Sequence, residues 1–232
     1  WSSSTGAATV GATTGIVNGI TPGTTTITYT LPTGCFTTWA MTVNATPTSI
    51  SGTLSVCTGF TTTLTPAPVG GTWTSSNIAE ATVGSSTGVV TGITAGMPVM
   101  TYTVASGCFI TAVVTVNQTP VATTGSNQVC VGFTTTLSDA TAGGTWTSSN
   151  TALATVGSST GIVNGLTPGT LNIVYTMPTG CNVVTPVTVN PNPAPLSGPS
   201  VVCPSSTITL ISSPGGGNWT SSNISIATVG ST

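Results

Sequence analysis

One phrase recurs four times along the chain at an almost constant spacing, and this repetition limits what the chain can fold into. The tryptophans that open the phrase stand 72, 73 and 73 residues apart, and they are Trp1, Trp73, Trp146 and Trp219. The six cysteines follow the same period, with gaps that alternate between 22 and 51 residues. A fixed period determines the architecture, and a unit of about 73 residues has the size of one small domain.

This period divides the chain into two complete repeats and two incomplete ones. We predict them at residues 1–46 (a C-terminal part), 47–119, 120–192 and 193–232 (an N-terminal part). Proline-containing links between the repeats favour stiff, extended connections. Because the phrase is cut at both ends, we expect a window onto a longer tandem chain, in preference to a subunit whose tail completes the head of the next by strand donation.

Each repeat contains short segments in which apolar and polar residues alternate, separated by Gly and Pro. In the third repeat, Ile173, Tyr175 and Met177 alternate in this way. Period-two alternation is typical of β-strands, and no segment has a helical period. A face that stays apolar in every copy predicts an all-β, two-sheet sandwich. The predicted core aromatic residues are Trp1, Trp73, Trp146, Trp219, Tyr29, Tyr102 and Tyr175.

Charge is almost absent from the sequence. It contains no Lys, Arg or His, and its two acidic residues, Glu80 and Asp139, fall in different repeats. Without basic side chains the chain lacks the groups that bind phosphate, so we expect no nucleic-acid partner. Acid–base catalysis and metal ligation need several such groups in one site, so we expect no enzyme, metal or cofactor. The apolar runs are too short for a membrane span.

The cysteines are even in number, form no CxxC pair and are accompanied by no His, which favours disulfides in an oxidising, extracellular location over metal binding. Two pairings fit the spacing. The first joins Cys57 to Cys108 and Cys130 to Cys181 inside single repeats, and the second joins Cys35 to Cys57, Cys108 to Cys130 and Cys181 to Cys203.

A distance argument favours the first pairing. The second would require the chain to fold back along a strand of about nine residues, or about 30 Å, whereas bridged Cα atoms lie about 5–6 Å apart. We therefore predict the pairing inside the repeats. Cys35 and Cys203 would then bond to partners beyond this sequence.

Four N-x-S/T sequences mark candidate N-glycosylation sites, at Asn44, Asn117, Asn218 and Asn223. An exposed surface with almost no charge needs another source of hydration. We therefore expect covalent sugars, attached to Thr or Ser hydroxyls more than to these asparagines.

The repeated phrase resembles the bacterial Ig-like domain, group 2. The resemblance rests on W-T-S-S-N, on A-x-V at residues 154–156, on G-x-V-x-G at residues 161–165, and on G-x-x-x-I-x-Y at residues 169–175 with a final V-T-V. It is similar in particular to the Thr-rich, Cys-containing tandem copies of long secreted surface proteins from Bacteroidota-type bacteria. This implies tandem immunoglobulin-like β-sandwiches that act as a spacer or stalk, with no catalytic residues to carry over.

Two classes of function remain. In the first, the chain is a structural region of an extracellular bacterial filament or cell-surface stalk, and its partners are further copies or a continuation of the same chain. In the second, it is an adhesin module that binds glycans or a partner cell surface. Near-identity of the repeats favours the first class. The clearest break in the repeat is Trp39, where the other copies have Ala112 and Thr185, and we expect a contact between repeats or chains there.

Overall fold

The computed structural model describes residues 1–230 and forms two compact units, Trp1–Thr119 and Pro120–Thr232. The boundary between the units lies where the sequence places the boundary between the second and third repeats. All the regular elements of residues 1–230 are β-strands, so the predicted all-β fold class is confirmed. In this part of the chain no helix is long and apolar enough to cross a membrane.

Residues 1–230 contain twenty-two short strands. The first unit holds β1 (Ser2–Ser3), β2 (Ala8–Val10), β3 (Val17–Gly19), β4 (Gly23–Thr30), β5 (Phe36–Val43), β6 (Ser49–Ser51), β7 (Ser55–Cys57), β8 (Thr61–Thr63), β9 (Thr65–Ala67), β10 (Thr72–Ser75), β11 (Ala81–Val83), β12 (Val89–Gly92), β13 (Val99–Thr103), β14 (Phe109–Val113) and β15 (Thr115–Asn117). The second unit holds β16 (Gln128–Cys130), β17 (Thr134–Thr136), β18 (Thr145–Ser148), β19 (Ala154–Val156), β20 (Ile162–Gly165), β21 (Gly169–Thr176) and β22 (Asn182–Asn190).

The second unit contains one complete sandwich. Its larger sheet has the strand order β16–β22–β21–β18, and its smaller sheet has the order β17–β20–β19. The long hairpin of β21 and β22 forms the centre of the larger sheet. Leu171, Ile173 and Tyr175 on β21 are buried, and the residues between them are less so. This is the period-two alternation from which the sequence predicted a strand.

Residues 47–119 form the same sandwich in the first unit. The sheets are β10–β13–β14 and β11–β12–β8, with smaller pairs β15–β7 and β6–β9. Trp73 lies opposite Tyr102 in the pairing of β10 with β13. Trp146 lies opposite Tyr175 in the pairing of β18 with β21, so both repeats use the same register.

A parallel strand pair closes each complete sandwich. β7 runs parallel to β15, with Val56 opposite Val116, and β16 runs parallel to β22, with Val129 opposite Val189. All four valines are buried. Because an early strand runs in the same direction as the last one, the chain enters each repeat at one end and leaves at the other.

Each complete repeat has its own hydrophobic core. The buried cluster of the second repeat consists of Val56, Leu64, Trp73, Ala81, Val90, Met100, Tyr102, Val114 and Val116. The cluster of the third consists of Val129, Leu137, Trp146, Ala154, Val163, Leu171, Ile173, Tyr175, Val187 and Val189. Position by position the two clusters are nearly the same, so the apolar face that recurs in the sequence is the core face.

The apolar face of the first repeat is only partly covered by other strands. It consists of the sheet β1–β4–β5 and the pair β2–β3. Trp1 is 43% exposed and Tyr29 is 39% exposed, whereas Trp73 is 3% exposed. The expectation that Trp1 and Tyr29 are core residues therefore holds only in part. The reason is that, among residues 1–230, no strand takes the places that β7 and β8 occupy in the second repeat.

The last repeat contains little regular structure. Residues 191–230 form no named strand and contain one isolated antiparallel bridge, between Ser197 and Ile211. Trp219, which the sequence assigns to a core, is half-buried. The last two residues of the predicted repeat 193–232 lie outside the described residues.

Candidate functional site

A Trp–Tyr pair lies at the same place in three repeats. The ring centroids of Trp146 and Tyr175 are 4.6 Å apart and the rings are inclined at 42°. The pair Trp73–Tyr102 has a separation of 5.0 Å and an angle of 50°, and the pair Trp1–Tyr29 has values of 4.6 Å and 40°. Aromatic pairs in tilted arrangements add about 0.5–1.5 kcal/mol to the stabilisation that burial alone provides. The phrase that recurs in the sequence therefore builds the centre of the core.

The tyrosine hydroxyl ties this pair to the turn before the Trp strand. The Tyr175 hydroxyl accepts a hydrogen bond from the N–H of Gly144 at 2.9 Å and donates one to the carbonyl of Thr141 at 2.7 Å. In the second repeat, the N–H of Gly71 donates to the Tyr102 hydroxyl. Sequence reasoning identified the tyrosines as core residues and missed this polar role. The available signal was the Gly-Gly pair that precedes each of these Trp strands.

A small cavity of about 250 Å³ lies beside the pair in the second unit. It contains Asp139, whose Oδ1 accepts a hydrogen bond from the N–H of Thr141 at 2.7 Å. Its Oδ2 is buried and has no hydrogen-bond partner among the described residues. The equivalent position in the second repeat is Pro66, so this carboxylate is not a property of the repeat. A single carboxylate next to an already bonded tyrosine does not form an acid–base pair.

The charged residues do not converge on one site. Glu80 and Asp139 belong to different units. Across residues 1–230 no three His, Cys, Asp or Glu side chains come close enough to hold a metal ion.

The bonding of the cysteines in the structure differs from the predicted pairing. Cys35, Cys108, Cys130 and Cys203 carry free thiols. Cys57 and Cys181 are disulfide-bonded. Because Cys108 and Cys130 are thiols, neither the predicted pair Cys57–Cys108 nor the predicted pair Cys130–Cys181 is formed in the structure.

The register of the parallel strands explains this correction. The prediction placed the two cysteines of a pair at the starts of neighbouring parallel strands. The strands are parallel, but Cys57 ends β7 and lies opposite Asn117, nine residues beyond Cys108. Nine residues of strand span about 30 Å, far more than the Cα separation of a disulfide. Cys130 lies opposite Asn190, again nine residues beyond Cys181.

The candidate N-glycosylation sites differ in their accessibility. Asn44, Asn218 and Asn223 are exposed, and Asn117 is half-buried. The side-chain amide of Asn117 donates a hydrogen bond to the hydroxyl of Ser55 at 2.8 Å. Since a sugar would replace a hydrogen of that amide, Asn117 is the least available of the four in the folded protein.

The two-sheet sandwich, with its parallel closing strands and central Trp–Tyr pair, defines an immunoglobulin-like β domain. Residues 110–181 match the family model of the bacterial Ig-like domain (group 2). The predicted resemblance is thereby confirmed at the level of the family. The Bacteroidota-type origin stays a prediction.

The chain is also similar, at low sequence identity, to several solved structures. Domains 4 and 5 of the S-layer protein SbsC are 23% identical over 62% of this chain and 99% of that chain, with a TM-score of 0.31. A C-terminal 282-residue fragment of intimin, solved in complex with the intimin-binding domain of its translocated receptor, is 18% identical over 66% of this chain and 67% of that chain, with a TM-score of 0.41. Murine CEACAM1b is 12% identical over 62% of this chain and 100% of that chain, with a TM-score of 0.27. In the comparison with curated proteins nothing matches this chain.

Proposed function

We propose that the chain is a structural repeat region of an extracellular bacterial filament or surface stalk, stabilised by disulfides and coated with sugars. The observation that carries the proposal is the close structural similarity of the two complete repeats. They share the strand register and nearly the same buried residues. A domain that binds a specific ligand needs a site that differs from its surroundings, whereas a spacer needs only identical units.

The path of the chain through each repeat supports this role. Entry and exit lie at opposite ends of the sandwich because an early strand and the last strand run parallel. Tension on the chain would therefore shear this strand pair along its length, loading all its hydrogen bonds together. Such a geometry suits a unit that transmits force.

The surface chemistry supports an extracellular location. Two cysteines are disulfide-bonded, and disulfides persist in oxidising environments. A formal net charge of −2 over 232 residues gives little electrostatic repulsion between copies. Sugars on exposed Thr and Ser hydroxyls would supply the hydration that charges supply on other surface proteins.

An adhesin module that binds glycans or a partner surface is the second candidate, and Trp39 and Phe36 favour it. Both aromatic side chains are largely exposed on β5. Side chains three positions apart in a strand point to opposite faces, so these two do not form one platform for a sugar ring. The structural role is therefore the better supported of the two.

Electron microscopy of secreted material tests the structural role. We expect uniform filaments or stalks with an axial repeat of about 30–40 Å, the length of one sandwich whose longest strand has about nine residues. Intact mass before and after chemical deglycosylation tests the coat, and the mass should fall. A glycan array probed with the 232-residue chain serves as the control for the adhesin candidate. Specific binding by the chain combined with the absence of regular filaments would reject the structural role.

A further inference from the structure

The cavity beside Asp139 contains a hydrogen-bond acceptor that the chain leaves without a donor. Oδ2 of Asp139 is buried, and it has no hydrogen-bond partner among residues 1–230. A buried acceptor that has lost its water and gained no donor is unfavourable, and more so when the group carries a charge. Such an atom in a native protein calls for a ligand or an ordered water.

The donors nearest to this carboxylate are already committed to other acceptors. The N–H of Thr141 donates to Oδ1 of Asp139 at 2.7 Å. The Tyr175 hydroxyl donates to the carbonyl of Thr141 at 2.7 Å, and the N–H of Gly144 donates to that hydroxyl at 2.9 Å. These bonds hold the carboxylate in place and leave Oδ2 as the acceptor that remains. A molecule that fills the cavity can supply the missing donor.

The protein contains no positive side chain to balance this carboxylate. Its sequence has no Lys, Arg or His, and its other acidic residue, Glu80, belongs to the first unit. Attraction between unlike charges is stronger in a protein interior than in water, because the effective dielectric constant is lower there. Buried charges are accordingly paired or hydrogen-bonded. A ligand that is both a cation and a donor meets both needs of Asp139.

The wall of the cavity beside the carboxylate is aromatic. Trp146 and Tyr175 line it, and each side chain is 5% exposed. Trp and Tyr rings attract ammonium groups electrostatically, because the ring carries a negative face. The carboxylate and the aromatic pair therefore favour the same kind of ligand.

The cavity has the size and the access that a small ligand needs. Its volume of about 250 Å³ is a little below the range of about 300–1,000 Å³ that is usual for pockets of drug-sized ligands. The lining residues Ser138, Gly143, Ser159 and Thr160 are exposed, so the cavity opens to solvent on their side. Their hydroxyl oxygens are further acceptors, and an ammonium group, with three donors and no acceptor, can use them.

The second repeat does not have the groups that form this site. Pro66 and Pro68 take the places of Asp139 and Thr141 there. Proline has neither a carboxylate nor a backbone N–H. The Trp–Tyr pair, in contrast, is present in both complete repeats. The carboxylate therefore adds a ligand site to a core that forms without it.

We propose that the cavity beside Asp139 binds a primary ammonium group, carried by a free alkylamine or by a lysine side chain of another molecule. The ammonium donates a charge-assisted hydrogen bond to Oδ2, and its other N–H groups face the hydroxyls of Ser159 and Thr160. The alkyl chain leaves through the open side of the cavity. This site goes beyond the proposed structural role and does not depend on it.

Titration of the ¹⁵N-labelled 232-residue chain with n-butylammonium chloride, followed by nuclear magnetic resonance, tests the site. We expect saturable shifts with one site per chain, largest at the amides of Thr141 and Gly144 and at the indole N–H of Trp146. n-Butanol, which has the same alkyl chain without the charge, and sodium chloride at equal ionic strength should leave these signals in place. Equal shifts with n-butanol, or no saturable shift with n-butylammonium, would overturn the proposal and assign Oδ2 to an ordered water.

The two acidic residues of the chain provide matched variants. Asp139→Asn keeps the size of the side chain and removes its charge, and should raise the Kd for n-butylammonium by at least about tenfold. Glu80→Gln makes the same change in the first unit and should leave the Kd unchanged. Amide signals of β21 that keep their positions show that the third repeat remains folded. Equal Kd values for Asp139→Asn and the unaltered chain, or equal losses in both variants, would contradict the site.

A lysine derivative distinguishes the two sources of the ammonium group. Nα-acetyl-lysine methylamide carries the same butylammonium group on a peptide unit. A Kd within about threefold of that for n-butylammonium would assign the site to lysine side chains of another molecule. A Kd that is higher by more than about tenfold would assign it to free alkylamines, because the peptide unit then does not fit at the opening.

Discussion

Cys57 lies directly opposite Asn117 in the parallel pair of β7 and β15, and Cys130 lies opposite Asn190 in the same way. This register places the early cysteine of a repeat at the end where the chain leaves it. Cys108 and Cys181 stand nine residues earlier in the chain, directly before β14 and β22, near the end where the chain enters. A disulfide inside one repeat would have to cross the length of the sandwich. Bonds to cysteines outside the repeat fit the geometry better.

Substitution of Gly88 should destabilise the second repeat through a backbone collision. Gly88 has a φ of +68° and lies against the carbonyl of Leu64. Gly88→Ala therefore combines the cost of a left-handed conformation with a steric clash, and we expect a loss of about 2–4 kcal/mol. Hydrogen exchange at the amide of Leu64, which donates to the carbonyl of Gly88 at 2.9 Å, would report it.

The control for that prediction is Gly59→Ala. Gly59 also has a positive φ, of +84°, but a Cβ there would meet nothing within 4 Å. The stability lost in Gly59→Ala should be limited to about 1–2 kcal/mol, the conformational cost alone. If both variants lose the same stability, the close approach of the two strands is not what requires Gly88.

Removal of the Trp146 side chain should lower the stability of the third repeat more than a substitution on the surface does. Trp146 is 5% exposed and packs against Tyr175. Trp146→Ala should cost about 3–5 kcal/mol, because it leaves a large cavity. Trp39→Ala in the isolated chain should change stability by about 0.5 kcal/mol or less, since Trp39 is exposed. Amide exchange along β21, compared between the two variants, distinguishes these outcomes.

The Tyr175 hydroxyl should contribute to stability through its two hydrogen bonds. Tyr175→Phe keeps the ring and leaves the N–H of Gly144 and the carbonyl of Thr141 without this partner. We expect a loss of about 1–3 kcal/mol, measured by denaturant titration of the third repeat's core fluorescence. Val184→Ala on the neighbouring strand, at an exposed side chain, is the matched control. A loss no larger than that of the control would show that the hydroxyl contributes nothing.

Salt should have almost no effect on the stability of the folded chain. With two acidic side chains and no basic ones, there are no ion pairs between side chains for salt to screen. The melting temperature, followed by calorimetry from about 0.02 to 0.5 M sodium chloride, should stay constant within about 2 °C. A strong dependence on sodium chloride would mean that bound ions or charged modifications contribute to the fold.

Local and periodic features of this protein could be predicted from its sequence. The alternation around Ile173 and Tyr175 predicted β21, and the spacing of the Trp residues predicted repeats with one shared core. These patterns can be recognised because burial on one face of a strand imposes a period of two, and because each repeat of a tandem chain contains the same pattern.

The pairing of distant strands could not be predicted in the same way. No local feature of the segment around Cys57 indicates that it lies opposite Asn117. A shift in register along the last strand changes which cysteines are neighbours. The hydroxyl bonds of Tyr175 depend on a turn more than 30 residues away. For the same reason the open face of the first repeat, with Trp1 half-exposed, became visible only in three dimensions.

We propose that each complete repeat of about 73 residues is an autonomous sandwich that bears load. Single-molecule stretching of the reduced chain, attached by its two ends, tests it most directly. We predict separate unfolding events for the two complete repeats, each releasing about 20–25 nm, the extended length of some 70 residues less the folded one. Smooth extension without discrete events, or one event that releases both repeats together, would contradict the account.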